Sequence, residues 1–485
     1  MRKTAGAGTG PSAPIDAPLL AAVETRAAAG ALRLCVPGHG GGAYAPAALR
    51  RALRRYGLFG LDWTEVPGLD DLAWPEGPIR DAEARLAERF GAAGAAILVG
   101  GSTAGLVASL IALSGTDRPI ALGPGQHRSI YAGLALSGAT PAFLPEAADP
   151  ATGYPLGLAE TAPAEIARVR PAVVVVAYPT YQGVAAPIGP VAAAAHAAGA
   201  LVLADAAHGA HFGLDARLPP SPLAAGADIA VLGLHKSLGS LTQTAALVWR
   251  DSAPGDRLRA FLRLVQTSSP SYPLMASVDS ARAALEADGE RLWARALDRV
   301  ERLRRSLGAD AWRPPGRPFD PAKLVWLAGD RRGGDLLAAL REHGVEAEYA
   351  DDRGVLMCLG PQVRARDVPR LVAALADARG ACPPAGARAA LAAPAPPGPL
   401  AVPMLDALRA PGRLVPLDAA QGAVAADFLV PYPPGVPLAL PGQRLGADAL
   451  AWLRACLDAG REVHGVLPGG IIRTVEDVGR GRGAP

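Results

Sequence analysis

The chain has 485 residues, of which half are apolar and 19% are charged, a composition that favours several globular domains over disorder. Its 48 basic and 45 acidic residues leave a formal net charge of +3, so charge gives no reason to expect nucleic acid or an anionic membrane as a partner. No apolar run is long enough to span a bilayer, and no apolar segment follows the basic start, so neither a membrane span nor a signal peptide is predicted. The four cysteines lack paired spacing, which is typical of reduced thiols and predicts a cytoplasmic protein.

Strand-like and helix-like segments alternate in the first half of the chain. Residues 1–15 are rich in small residues and are expected to be loose; a short helix at 16–30 and a Gly-rich loop at 35–42 follow. Strands are predicted at 95–101, 119–123, 172–179, 201–205 and 228–234, and helices at 103–113, 127–138 and 191–200. This order predicts a mainly parallel sheet covered by helices, an α/β fold.

The second half is expected to contain two smaller units. A long charged helix predicted at 281–310 leads into a smaller α+β domain, and the sequence PAPPGP at 394–399 is typical of a linker. The predicted division is an N-terminal segment (1–55), a large ligand-binding domain (56–280), a small α+β domain (281–393) and a C-terminal domain (400–485).

The segment GGSTAG, Gly100 to Gly105, joins a predicted strand to a predicted helix. Its glycines let the backbone approach a ligand, Ser102 and Thr103 supply hydroxyls, and the helix start offers free N–H groups to a phosphate. No Lys-Ser/Thr pair follows at the spacing of a Walker P-loop. An ordinary capped turn is the alternative interpretation.

The segment DAAHGAHF begins at Asp205, at the carboxyl end of a predicted strand, where parallel sheets bind ligands. An ionised carboxylate there could keep the pyridine nitrogen of pyridoxal phosphate (PLP) protonated, so that the ring accepts electrons. Two alternatives stay open. Asp205 could cap the next helix, or it could bind a metal ion together with His208 and His211, which follow at three-residue spacing.

Lysine is rare in this chain, with only Lys3, Lys236 and Lys323. Lys236 follows the next predicted strand within GLHKSLGSLTQ, and a lysine among small residues at a strand end could have a lowered pKa and form a Schiff base. A solvated loop lysine is the alternative, but Asp, strand and Lys stand in the order that a PLP site needs. His127, which opens a predicted helix, could stack on a flat cofactor ring or be an ordinary helix-start or core residue.

Together these motifs resemble the Orn/Lys/Arg decarboxylase family, bacterial PLP enzymes of fold type I with an additional C-terminal domain. The resemblance extends over nearly the whole chain. It rests on PGHGGG at Pro37, EVPGLDDLAWPEGPI at Glu65, FGAAGAAILVGGSTAG at Phe90, PTYQGV at Pro179, DAAHGAHF at Asp205, HKSLGSLTQ at His235, QTSSPSYPLMASVDSAR at Gln266 and VPYPPGVPLALPGQ at Val430.

The resemblance implies an aminotransferase-like large domain, a smaller α+β domain and a C-terminal α+β domain. It implies that Lys236 carries PLP, that Asp205 pairs with the pyridine nitrogen, that His127 stacks on the ring and that His208 lies close to the reacting substrate. It also implies a set of residues around the cofactor, with phosphate-side positions at Gly101, Ser102, Thr103 and His235, and Ala207 packed against the ring.

The implied reaction is decarboxylation of arginine, lysine or ornithine to the corresponding amine, in amino-acid and polyamine metabolism. The QTSSPSYP segment, with Thr267 and Ser268 as candidate substrate contacts, resembles the one that reaches a neighbouring subunit's site, so a homodimer or larger homo-oligomer is expected. A basic substrate needs an acidic partner, for which Asp427, Glu65 and Asp70 are candidates.

Several positions depart from the family pattern. Gly40 replaces a usual lysine, Ala206 a glutamate, Gly233 a serine, Gly100 an asparagine, Ser237 a threonine, and Asp427 the expected glutamate. These departures keep two alternatives open: a different PLP reaction on the same scaffold, such as transamination or elimination, and a regulatory paralogue that has lost activity.

Overall fold

A computed structural model describes residues 17–385, 398–432, 436–458 and 461–476. The predicted loose head at 1–15, residues 394–397 of the predicted linker and residues 433–435 of the YPPG motif lie outside the described residues.

The described strands are β1 Leu32–Leu34, β2 Gly94–Leu98, β3 Ile120–Leu122, β4 Pro141–Phe143, β5 Glu146–Ala148, β6 Pro155–Leu158, β7 Val173–Ala177, β8 Leu201–Ala206, β9 Ile229–Leu232, β10 Ala245–Trp249, β11 Lys323–Leu327, β12 Val345–Ala347, β13 Tyr349–Ala350, β14 Gly354–Cys358, β15 Gly412–Pro416, β16 Val430–Tyr432, β17 Glu462–His464, β18 Val466–Leu467 and β19 Ile471–Val475. The described α-helices are α1 Pro18–Ala28, α2 Ala47–Tyr56, α3 Pro78–Phe90, α4 Gly101–Leu113, α5 Arg128–Ser137, α6 Ala162–Val169, α7 Ile188–Ala197, α8 Leu234–Ser237, α9 Gly255–Val265, α10 Tyr272–Leu307, α11 Gly333–Glu342, α12 Asp367–Ala381, α13 Met404–Arg409 and α14 Ala447–Asp458.

A seven-stranded sheet, in the order β2-β10-β9-β8-β7-β3-β4, forms the centre of the large domain. The strands from β9 to β4 run parallel to one another, and β10 runs antiparallel to both of its neighbours. The predicted, mainly parallel α/β sheet is therefore confirmed. The carboxyl ends of β8 and β9 lie side by side, since these strands are paired in register from Leu203 with Ile229 to Ala206 with Leu232.

Side chains of the sheet alternate between two hydrophobic cores, as the two-residue period of a strand requires. In β7, Val174 and Val176 pack into one core with α3, α7 and α10. Val173 and Val175 pack into the other core with α4, α5 and α9. Both faces of the sheet are buried, which explains the continuous β-branched run in β7.

A second unit is built on the antiparallel sheet β11-β14-β13, covered by α11 and α12. The N-terminal strand β1 joins this unit, because Leu32 pairs in parallel with Val345 of β12. Helix α10 runs without interruption across the predicted boundary at 280/281 and buries Val300 and Leu303 in the core of the second unit. One helix thus belongs to the cores of both units.

The C-terminal unit contains the sheet β15-β19-β18, the pair β16-β17 and a separate apolar core. Met404 of α13 and Leu440 also pack into the core of the large domain beside α4 and α5. Within the part of the chain that the structure describes, no helix combines the length and the apolar character needed to cross a membrane.

Candidate active site

Asp205 is the first element of the site and lies near the carboxyl end of β8, where it is 8% exposed. One carboxylate oxygen, Oδ1, accepts a hydrogen bond from the backbone N–H of Ala207 at 3.1 Å. The second oxygen, Oδ2, can serve as an acceptor for a ligand. Ala207 itself is buried at the turn that follows the strand; its packing against the ring stays a prediction.

Lys236 lies in the short helix α8, directly after β9. Burial lowers the pKa of its amine, and the carboxylate of Asp205 opposes this shift. The Gly-rich PGHGGG loop packs on the same helix, because the N–H of Gly38 donates to the carbonyl of His235 at 2.8 Å. A Cβ on Gly38 would lie 2.4 Å from the Lys236 carbonyl oxygen, so only glycine allows this approach.

The start of α4 offers an anion site beside these residues. Gly101 has a positive φ of 70° and donates its N–H to the carbonyl of Gln243 at 2.8 Å, so the turn is tied to the loop after α8. The hydroxyl oxygen of Ser102 is buried and has no hydrogen-bond partner among the residues that the structure describes, and the same holds for Ser237. Buried polar atoms normally have partners, and a phosphate at a helix N-terminus would supply one.

Two histidines flank this region. His127 is the N-cap of α5 and accepts a hydrogen bond from the N–H of Ser129, so it is a helix-start residue, yet its side chain is also exposed enough for a planar ligand to stack on it. Desolvation lowers the pKa of His127, and the carboxylate of Asp205 opposes this. His235 donates Nδ1–H to the carbonyl of Thr244 at 2.7 Å, and burial lowers its pKa to about 4.

His208 lies between two lysines. Its Nε2 is 2.9 Å from Nζ of Lys236, and its Nδ1 is 2.8 Å from Nζ of Lys323. Burial, together with the amino groups of Lys236 and Lys323 beside the ring, holds the pKa of His208 well below its usual value. His211 instead stacks on Trp293, with ring centroids 4.2 Å apart. Because His208 contacts two lysines and His211 stacks on a tryptophan, the two imidazoles have different partners, and this argues against the metal-binding interpretation of the motif.

The small domain contributes side chains that sequence reasoning missed. Lys323, Cys358 and Gln362 line the same pocket as Lys236 and His208. One clue was the rarity of lysine, since Lys323 is one of three lysines in the chain, but no local motif connects it with His208, 115 residues earlier.

The structure does not bring the predicted substrate residues to this pocket within one chain. Thr267 and Ser268 are exposed and line a separate pocket. Asp427 forms an ion pair with Arg473 at 2.9 Å inside the C-terminal unit. Asp70 accepts hydrogen bonds from the N–H groups of Gly77 and Ile79 at the start of α3. Their roles as substrate contacts remain predictions.

Two departures from the family pattern have packing causes. Gly40 has a positive φ of 54°, and a Cβ there would lie 2.7 Å from Cβ of Gln362. A Cβ on Gly233 would lie 2.4 Å from the carbonyl oxygen of Ala207. A side chain at either position would need a local rearrangement, so the glycines match their present surroundings.

The parallel sheet, the carboxylate and lysine at adjacent strand ends, and the partnerless hydroxyl at a helix start define a PLP enzyme of fold type I. The residues fit the cofactor: Asp205 would hold the pyridine nitrogen, Lys236 the aldehyde carbon, and Ser102 with the start of α4 the phosphate.

Comparison with known proteins identifies the family. The family model "Orn/Lys/Arg decarboxylase, major domain" matches residues 17–324, and the corresponding C-terminal domain matches 404–470. The chain belongs to this family and is a PLP-dependent amino-acid decarboxylase, as the sequence motifs predicted.

Relatives resemble the chain over nearly its full length. The arginine decarboxylase of Bacillus subtilis is 31% identical and the alignment covers 93% of this chain and 95% of the relative. The arginine decarboxylase of Halalkalibacterium halodurans is 30% identical over 92% and 95%, respectively. The structure of the constitutive lysine decarboxylase of E. coli has a TM-score of 0.72 at 19% identity, covering 95% of this chain and 82% of that one, and so shows the shared fold.

Proposed function

We propose that this enzyme decarboxylates arginine to the corresponding amine. The main support is that relatives at 30–31% identity are named arginine decarboxylase; the burial of Asp205 and Lys236 at adjacent strand ends and of Ser102 at the start of α4 supports their proposed roles toward PLP. Lysine and ornithine are the competing substrates, since both belong to the chemistry of the family. Within this proposal the chain acts in the cytoplasm, in amino-acid and polyamine metabolism, and its four free thiols are consistent with a reducing compartment.

PLP, when bound, withdraws electrons from the bond that breaks at the amino acid's α-carbon. The protein's part is to hold the ring charged and in place. Asp205, buried at a strand end, would pair its carboxylate with the pyridine nitrogen. Lys236, whose amine has a pKa lowered by burial, would supply the nucleophilic nitrogen that attaches the cofactor. His208, in hydrogen-bond contact with Lys236, is placed to hold or transfer a proton at that nitrogen.

Recognition of a guanidinium group requires a carboxylate that is not already engaged. Asp427 forms an ion pair with Arg473, and Asp70 accepts hydrogen bonds from backbone N–H groups at the start of α3. Glu65 is exposed and accepts a hydrogen bond from the Thr64 hydroxyl; it forms no ion pair within the described residues. We therefore favour Glu65 as the acidic partner, reaching a neighbouring subunit's site.

A homodimer is the second part of the proposal. The segment before α3 exposes several large apolar side chains, with Leu58 at 54%, Phe59 at 92% and Trp74 at 63%. Trp74 lies under the guanidinium of Arg263, 4.0 Å from the ring centroid, which links this surface to the helix that precedes Thr267. Large apolar side chains exposed in one segment support the proposal that it takes part in association.

The dimer is tested by sedimentation of Leu58→Asp. This variant is expected to shift the protein towards monomer and to lose activity, because the site would lose the partner's segment. Leu414→Asp is the matched control, since Leu414 is a leucine of similar exposure, 60%, in the C-terminal unit. A Leu58→Asp variant that stays dimeric and active would contradict the assignment of this surface.

The substrate is tested with carboxyl-labelled arginine, lysine and ornithine, measuring released carbon dioxide and the visible absorbance of the PLP Schiff base. Arginine is expected to give the highest kcat/KM, and Lys236→Ala is expected to lose both the absorbance band and the release. If the band is present and carbon dioxide is released only from lysine or ornithine, that amino acid replaces arginine as the substrate. A band without any release would favour a different PLP reaction, and absence of the band would favour an inactive paralogue.

A further inference from the structure

Lys323 is a buried cation that the reaction described above leaves without a role. It begins β11 of the small domain and is 5% exposed. Its Nζ lies 2.8 Å from Nδ1 of His208 and 3.2 Å from Sγ of Cys358, and 5.2 Å from the ring centroid of Tyr181. A lysine is seldom buried without a specific partner, so its placement beside His208 calls for an explanation.

The hydrogen bonds of His208 allow two arrangements. A neutral imidazole has one N–H donor and one acceptor nitrogen, and here each ring nitrogen faces a lysine amine. Either the Lys323 ammonium donates to Nδ1 and Nε2–H donates to a neutral Lys236, or the Lys236 ammonium donates to Nε2 and Nδ1–H donates to a neutral Lys323. The two arrangements differ in which lysine carries the charge.

The surroundings favour the charge on Lys323. Burial alone would lower its pKa, but the thiol of Cys358 and the carboxylates of Glu348 and Asp320 outweigh burial, so that the pKa is raised. The face of the Tyr181 ring adds a cation–π contact.

Lys236 has a different balance. Burial lowers its pKa, and the nearby Lys323 cation lowers it further, while Asp205 and the more distant Glu348 and Cys358 act in the opposite direction. The imidazoles of His127 and His235, on other elements, have lowered pKa values and bring no positive charge at neutral pH. Of the two amines that face His208, the one at Lys236 therefore loses its proton more readily than the one at Lys323.

We propose that Lys323 is a positioning residue whose ammonium donates to Nδ1 of His208. This hydrogen bond fixes the tautomer of His208 that carries its proton on Nε2. The Nε2–H in turn donates to the lone pair of the neutral Lys236 amine. A side chain of the small domain thus determines which nitrogen of His208, in the large domain, carries the proton. This inference depends on Lys236 attaching PLP, but not on which amino acid is the substrate.

The test measures how fast protein stripped of PLP forms the Schiff base when PLP is added, as a function of pH, by visible absorbance. Lys323→Met removes the cation, so the Lys236 amine should stay protonated to higher pH and the rate profile should move up by about one pH unit. Lys323→Arg keeps the charge and the donors, and its profile should stay close to that of the wild type. No substrate is present, so a wrong substrate assignment would leave this test unaffected.

A merely structural role predicts a different result, in which both variants lower the rate or the thermal stability without moving the profile. An unmoved profile in a folded Lys323→Met protein would overturn the proposal. A second measurement covers the case in which the variants do not fold. In wild-type protein with nitrogen-15-labelled histidine, the His208 signal, assigned by its absence in His208→Gln, should show Nε2 protonated and Nδ1 as acceptor; the opposite tautomer would refute the inference.

Discussion

The free edge of β2 is held by side chains, and this arrangement allows a quantitative prediction. β2 is the last strand at its side of the sheet, so half of its backbone groups have no neighbouring strand. The carboxylate of Glu83 accepts from the N–H of Ile97 at 2.9 Å, Arg259 donates to the carbonyl of Ala95 at 2.7 Å, and Gln266 donates to the carbonyl of Ile97 at 3.2 Å. β2 leads directly into the turn that carries Ser102.

Substituting Arg259 by Met should loosen this edge. Glu83 is only 3% exposed and its ion pair with Arg259 is 2.9 Å long. Removing one partner of a buried pair leaves an uncompensated charge and costs about 3–5 kcal/mol. Because the Arg259 side chain is 32% exposed and water already screens it, we expect the lower end, about 3 kcal/mol.

The measurement is amide hydrogen exchange of peptides covering residues 94–105, followed by mass spectrometry. A loss of about 3 kcal/mol should speed local exchange roughly 100-fold, since 1.4 kcal/mol corresponds to a factor of ten. Local exchange is preferable to a global unfolding curve, because a chain with several domains does not unfold in two states. PLP affinity should fall in parallel, since the Ser102 turn follows the loosened strand.

The double variant tests the mechanism. Glu83→Gln removes the charge but keeps an acceptor for Ile97, so in that background Arg259→Met should speed exchange less than about tenfold. The pH dependence has a defined sign. Burial raises the pKa of Glu83, and Arg259 opposes this. Without Arg259, a larger fraction of Glu83 is protonated at a given pH. The destabilisation caused by Arg259→Met should therefore become smaller as the pH falls. Equal acceleration in both backgrounds would refute the reasoning.

Two further predictions concern the cofactor pocket. Gly233→Ser, which restores the usual family residue, should weaken PLP binding in an equilibrium titration, because its Cβ would lie 2.4 Å from the Ala207 carbonyl oxygen, whereas Gly189→Ser has open space and should bind normally. The pKa of His235 is lowered to about 4 from about 6.5 in an unfolded chain, so its stability contribution is intact above pH 6.5 and about 3 kcal/mol is lost as the pH falls towards 4. His235→Gln should show a weaker acid dependence in the amide hydrogen exchange of peptides covering residues 229–245; unchanged acid dependence would exclude His235 as its source.

The parts of the fold that depend on local pattern could be predicted from the sequence. The β-branched run at 172–179 became β7, and the strand ends that carry Asp205 and the lysine after β9 were identified because adjacent parallel strands share an edge. Boundaries were less accurate. The strand predicted at 95–101 ends at Leu98, because the turn through Gly101 needs a positive φ. The helix predicted from 281 begins at Tyr272, since Pro273 is tolerated in a first turn.

The contacts that join distant segments could not be predicted, because no local pattern encodes them. The pairing of β1 with β12 and the antiparallel insertion of β10 between β2 and β9 depend on the folded topology. The same is true of Lys323, which meets His208 only when the small domain packs on the large one. The pattern of residue types near Lys236 predicts where a cofactor attaches. It does not predict which charged residue, distant in the sequence, influences the protonation of Lys236.

The departures from the family pattern can now be weighed against the idea of an inactive paralogue. Gly40 and Gly233 stand where a side chain would collide with Gln362 and with the Ala207 carbonyl, so each is matched by its neighbours. Ala206 is fully buried, where an unpaired glutamate would carry a large desolvation cost. The hydroxyl of Ser102 is buried and finds no hydrogen-bond partner among the described residues, so the start of α4 still offers a polar group to a ligand. The structure is therefore better explained by an altered but intact pocket than by a lost one.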